Sequence, residues 1–237
     1  MELRMHETSD VPGAFEVGDR EISGESKRNY DRLMGDDDLP EDMAFFEELE
    51  PDRQGYDEFG FRPLTGDEKQ NLRDDTGWPD KPEGIDGCKI NQQGIVKYPC
   101  RNGELAGETH PLTGVRYEKR IVEISGYKVE VVVPGFESVF DVQLPDKLCV
   151  EKDREQFREC NRQLYNEAQK KPQLAKKFTN EQMEQIKDGM VSGGVPDGYT
   201  WHHDAQKGSM QLVDSDVHAD SRHTGGKALW GGGRKNR

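Results

Sequence analysis

Long apolar runs are what this chain lacks most. Of its 237 residues, 32% are hydrophobic and 34% charged, and no stretch approaches the roughly 20 apolar residues that cross a bilayer as a helix. A helical membrane span is thereby excluded. So few apolar side chains also argue against one well-filled core running through the whole chain, and part of it is expected as loop or linker. The opening MELRMHETSD has neither the basic start nor the apolar stretch of a secretory signal. The expectation is a soluble chain outside the general secretory route. Cysteine is scarce as well: Cys88, Cys100, Cys149 and Cys160 are 12, 49 and 11 residues apart, with no CxxC pair. That spacing gives no basis for a thiolate zinc site. Without an export signal, reduced thiols are expected, with a Cys88–Cys100 bridge as the alternative.

Positive charge is short overall, but unevenly so. The net charge is −14, yet residues 1–80 carry 24 acidic and 9 basic side chains while residues 81–237 carry 23 and 24. The acidity belongs to the N-terminal third, and a near-neutral remainder ending in GGGRKNR does not oppose a polyanionic partner.

Residues 1–62 alternate acidic clusters such as GDDDLPED with isolated apolar residues, among them Phe45, Phe46, Tyr56, Phe59 and Phe61. Lacking regular periodicity, they read as an acidic, largely irregular segment. LTGDEKQNLRDDTGW predicts a short helix capped by Thr65, with Glu68 as capping-box partner and Gly77 past its end. Residues 63–110 are expected to be a linker or a segment leading into the functional domain, 111–237. In that domain Arg120–Ile124 and Tyr127–Val133 predict a hairpin about Ser125-Gly126, and Phe140–Leu144 a further strand. From Asp153 to about Lys171, helical spacing of Phe157, Cys160, Leu164, Tyr165 and Ala168 predicts an amphipathic helix. Thr179 caps another, with Met183 and Ile186 inward and Gly189 as its stop. The fold class expected is α+β.

Histidine is the rare residue that concentrates. The chain has six, and four of them fall in GYTWHHDAQKGSMQLVDSDVHADSRHTGG, residues 198–226. GYTWHHD and GSMQLVD predict two strands joined by a turn. SDVHADSRH predicts a helix capped by Asp214 or Ser215 and closed by Gly225-Gly226. A hairpin feeding one helix, with His202 and His203 on the first strand and His218 and His223 on the helix, is a small scaffold aimed at one point, where it can hold a cation. Three neutral imidazoles suit a borderline divalent metal and leave positions open for a phosphate oxygen and water. Four histidines divide naturally into three plus one, and a fourth, unligated imidazole can deprotonate the attacking water. Two plainer explanations compete: chance clustering, and a closed structural zinc site. Adjacent strand residues point to opposite faces, which makes it a strain for His202 and His203 to share one metal.

GYTWHHDAQKGSMQLVDSDVHADSRHTGGKALWGGG resembles the WHH branch of the HNH/endonuclease VII superfamily. That branch is related to the nuclease domains of colicin-like bacteriocins and is found at the C-termini of bacterial polymorphic toxins. ETHPLTGVRYEKR, FESVFDVQLP, the run from FRECNRQLY to QIKDG and PLTGDEKQNLRDDTGW also resemble segments that accompany this nuclease, so the likeness covers roughly residues 59–237. It implies a ββα-metal (His-Me finger) unit at 198–226. His202 would be a metal ligand, His203 the general base, and His218 and His223 the remaining ligands. This sequence departs from the family in two ways. The helical histidines are five apart, about 140° around a helix, so His223 is expected past the helix end. The second strand has no asparagine, which leaves Gln211 as the candidate to orient the base.

The resemblance also implies phosphodiester hydrolysis of DNA, with RNA open, by a divalent ion among zinc, magnesium, nickel and manganese. It further implies an antibacterial toxin delivered by a specialised system into a target cell, and a cognate immunity protein as partner. Lys207, Arg222 and Lys227 are candidate phosphate contacts, as are Arg234 and Lys235, each against the alternative of a solvated charge. Trp201 and Trp230 read as core, Asp204 as either a turn residue or an imidazole partner, and His110 as outside the site. The functional alternatives are a metal-stabilised binding module without catalysis and a nuclease restrained by the acidic residues 1–80.

Overall fold

A computed structural model describes residues 55–233. Phe45, Phe46, Arg234, Lys235 and residues 1–54 of the acidic segment lie outside them. The described part falls within one compact unit, Arg53–Arg237, of mixed α and β structure with two sheets. The first has the order β1-β2-β3-β5-β4, from Phe61–Pro63 (β1), Lys89–Asn91 (β2), Val96–Lys97 (β3), Tyr117–Ile124 (β4) and Tyr127–Pro134 (β5). Its spine is the expected hairpin β4–β5, paired from Tyr117↔Pro134 to Ile124↔Tyr127. Ser125 and Gly126 turn it with φ of 51° and 85°, the two positive values that match the twist of the strands. β3 joins β5 in parallel; the other pairs in this sheet are antiparallel.

The second sheet is antiparallel with the order β6-β8-β7, from Phe140–Gln143 (β6), Tyr199–His203 (β7) and Ser209–Asp214 (β8). Gly66–Thr76 (α1) carries the expected Thr65/Glu68 capping box and Gly77 in the left-handed C-cap. Asp153–Lys170 (α2) buries Gln156, Cys160, Leu164 and Ala168, a spacing of four that keeps one line of side chains facing inward. Pro172–Ala175 forms the single turn α3. Asn180–Ser192 (α4) starts at the Thr179 cap, with Gln182 closing the box. Gly189 is not its stop. The helix continues to Ser192 and ends at Gly193 with φ of 77°, while Gly189 is buried where α4 crosses α2. A Cβ there would sit 2.5 Å from both Asn161 Nδ2 and Gly194 O. Ser215–Ser221 (α5) and Gly226–Leu229 (α6) complete the chain.

Residues 63–110, expected as a connecting segment, contribute Leu64, Leu72, Trp78, Ile85, Cys88, Val96 and Tyr98 to the same core as the hairpins and helices. Trp78 Nε1 donates to Leu229 O at 2.8 Å, tying that segment to the last helix. All four cysteines are free thiols, and burial pushes the Cys88 thiol up to about 12. No helix among the described residues is long and apolar enough to cross a membrane.

Candidate metal centre

The register of the β7–β8 hairpin decides which side chains meet. His202 pairs with Gln211 and His203 with Met210, so alternation sends His202 to one face and Trp201 and His203 to the other. Of the two capping candidates, Asp214 is the N-cap of α5, accepting from Asp216 N and Val217 N at 3.0 and 2.9 Å. α5 does not run to Gly225-Gly226. It ends at Arg222, which adopts the left-handed conformation with φ of 42°. That reversal carries His223 off the helix and back over the hairpin. Gly225 and Gly226 instead open α6, and a Cβ on Gly226 would overlap Asp204 O and the Trp230 ring.

Three imidazoles converge as a result. His202 Nδ1 lies 3.3 Å from His218 Nε2 and 3.1 Å from His223 Nε2, and one nitrogen from each ring falls within 4.8 Å of the others. Metal–nitrogen bonds of about 2.0–2.1 Å in tetrahedral array put ligand nitrogens roughly 3.3–3.4 Å apart. The observed spacing therefore suits one ion. Among the described residues the group has three members and no carboxylate or thiolate joins them, so three protein ligands leave a coordination position open. Phe136 forms the apolar wall, its ring centroid 4.9, 5.4 and 5.1 Å from those of His202, His218 and His223.

Burial, reinforced by the neighbouring imidazoles, holds His202 well below its ordinary value. Burial also lowers His218, and His223 drops to about 3, first by burial and then by His218. All three are thus neutral at physiological pH, the state in which imidazole offers a lone pair to a metal.

The first sheet and its approach loops fix this geometry. Tyr117 Oη donates to Ser221 O at 2.6 Å and Asn102 Nδ2 donates to the same carbonyl at 3.0 Å, satisfying the end of α5 just before His223. Arg101 N donates to Thr224 Oγ1 at 2.9 Å, holding the other side of that ligand. At the end of β7, Asp204 caps the turn through Gln206 N and receives a two-pronged contact from Arg120 at 2.7 and 3.0 Å. It serves the turn and the ion pair rather than an imidazole.

His203 points away from the triad. It is 8% exposed, lies between the Phe157 and Trp230 rings and places Nε2 2.7 Å from Gln156 Oε1. Gln211 shares the face of His202, so the side chain bonded to His203 is Gln156, a residue that the sequence reading passed over. Its signal was present: position 156 begins the line 156, 160, 164, 168 whose other members are apolar.

Lys227, expected to touch phosphate, is 4% exposed. It donates to Glu151 O at 2.8 Å and Gln156 Oε1 at 3.1 Å, and pairs with Asp153 at 2.9 Å. A buried ammonium must be paired, and this one is committed inside the fold. Lys207 is half exposed and pairs with Asp146 at 3.3 Å. Arg222 is exposed beside His223. Trp201 and Trp230 are core residues and His110 lies outside the triad, as expected. Phe136 also borders a cleft of about 490 Å³ lined by Arg116, Lys177, Tyr199 and Val217.

Residues 125–225 match the family model of the DNase/tRNase domain of colicin-like bacteriocins. The matched stretch holds all three converging histidines and His203, and stops short of Lys227. Comparison with curated proteins and with solved structures gives no match. The family likeness expected from the histidine-rich run thus holds at the level of the colicin-type nuclease domain.

Proposed function

We propose that this protein is a metal-dependent nuclease of the WHH/HNH kind, hydrolysing phosphodiester bonds of DNA, and that it acts as an antibacterial toxin. The observation that carries this reading is the triad His202–His218–His223 inside the matched stretch. Its spacing suits one divalent ion and leaves a position vacant for substrate. On this reading 198–226 is a ββα-metal unit, and the bound ion, whether zinc, magnesium, nickel or manganese, offsets negative charge on the scissile phosphate.

His203, next in chain to a ligand but on the opposite face, serves as general base. It takes the proton of the attacking water as the water oxygen bonds to phosphorus. The bond to the leaving ester oxygen then breaks, and that oxygen keeps the electron pair until solvent protonates it. Arg222, exposed beside His223, contacts a phosphate oxygen. Arg116 and Lys177, in the cleft bordered by Phe136, give a flanking phosphate a cationic bed. A toxin of this kind requires a cognate immunity protein in the producing cell and delivery into the target cell.

The test is incubation of the purified chain with plasmid DNA and with total RNA across a metal panel and chelator, alongside His203→Ala. Metal-dependent DNA cleavage is expected. The variant is expected to lose cleavage by about 10²–10⁴-fold, the usual worth of a positioned base, with metal affinity unchanged. Full cleavage by His203→Ala would remove the base from the mechanism. No cleavage of either nucleic acid with any metal would remove the nuclease.

A further inference from the structure

Behind the histidine hairpin lies a second buried polar cluster that the metal triad does not use. Gln156 is 0% exposed, and its amide is pinned at both ends. Nε2 donates to Leu148 O and to Cys149 O, each at 2.8 Å. Two carbonyls can be satisfied only by the NH₂ end of an amide, so the other end, facing His203, must be the oxygen. A second constraint agrees. Lys227 Nζ lies 3.1 Å from that same atom, and an ammonium can only donate. Lys227 is itself fixed by Glu151 O and by Asp153.

An acceptor oxygen 2.7 Å from His203 Nε2 requires a hydrogen on that nitrogen. The Asp153 carboxylate, 3.7 Å from Nε2, favours the same arrangement. A neutral imidazole with Nε2–H carries its lone pair on Nδ1.

We propose that Gln156 is a positioning residue for His203: it holds the ring as the Nε2–H tautomer and so places the lone pair on Nδ1. The amide spans α2 and β7, and Lys227 brings in α6, so three elements must be in place before the ring is set. The catalytic half of this inference rests on the nuclease reading. The tautomer does not.

The experiment is a long-range ¹H–¹⁵N correlation on the full chain labelled with ¹⁵N-histidine and loaded with zinc at pH 8, beside steady-state DNA cleavage. His203 is expected to show a protonated Nε2 and an unprotonated Nδ1. Gln156→Leu should lose that preference and drop kcat at least tenfold, with KM and zinc stoichiometry unchanged. An Nδ1–H ring in the wild-type protein overturns the proposal whether or not any variant folds. So does an unchanged tautomer in Gln156→Leu. An Nε2–H ring in a chain that cleaves nothing overturns the nuclease reading, and with it the catalytic half alone.

Discussion

Gly189 shows how much a single residue type can decide here. By local rules a glycine ten residues into a capped helix reads as a terminator. The helix instead continues through it, because the missing side chain is what lets α4 approach Asn161 on α2. Gly189→Ala is expected to destabilise the protein by about 1–3 kcal/mol, the usual cost of overpacking, as a lower denaturant midpoint at unchanged slope. Gly66→Ala, with open space around its Cβ, is the control and should leave the midpoint within error or raise it. Equal midpoints for the Gly189 variant and the wild type would refute the close-approach account. The same scale separates the two adjacent histidines. Alternation along β7 puts His202 in the triad and His203 against Gln156, so one dipeptide serves two environments. That much was legible from the strand pattern; the identity of the partner was not, because Gln156 lies 47 positions away.

Among the elements, α5 was legible at its start and not at its end. Asp214 caps it as the residue type demands, but Arg222 holds the left-handed position where glycine is the usual choice. An L side chain there costs about 1–2 kcal/mol. Arg222→Gly is therefore expected to stabilise the fold by about 0.5–1 kcal/mol. In thermal melts its midpoint should rise; if Arg222 contacts phosphate as proposed, affinity for DNA should fall and its salt dependence flatten. A lower midpoint would show that the arginine stabilises this turn in another way. The hairpins were the best-read elements. Ser125-Gly126 and the alternating Val and Ile of β4 and β5 are local signals, and local chemistry suffices to make a two-stranded turn. The parallel contact of β3 with β5 has no local signal and was not foreseen.

For the whole molecule, the triad couples stability to pH. In the unfolded chain each imidazole binds a proton near pH 6.5. In the folded chain burial holds His202, His218 and His223 lower, His223 at about 3. Below about pH 6.5 the unfolded state therefore binds more protons than the folded one. Stability is full above that pH and falls as pH drops toward 3. The metal-free protein should melt at a lower temperature at pH 5 than at pH 8, and His218→Ala should narrow the difference. A midpoint that rises on acidification would contradict the buried, neutral triad.

Chelation separates a catalytic ion from a structural one. EDTA is expected to abolish cleavage while far-UV circular dichroism stays native, because the core spans both sheets and α2 and does not depend on the site. Unfolding on chelation would favour a metal-stabilised binding module instead.

The sequence by itself determined the scarce and local things. These were the concentration of histidine, the strand–turn–strand–helix order that carries it, the caps of three helices, the free thiols and the likeness to a colicin-type nuclease domain. Each is set by chemistry within a few residues, or by a pattern along the chain. The tertiary structure alone decided that three imidazoles close around one point, with His202 Nδ1 3.3 Å from His218 Nε2 and 3.1 Å from His223 Nε2. It also decided that Phe136 walls that point, that Lys227 is buried rather than offered to phosphate, and that Gln156 faces His203. Those depend on which distant segments pack together, and packing is a property of the whole core that no stretch of sequence states alone.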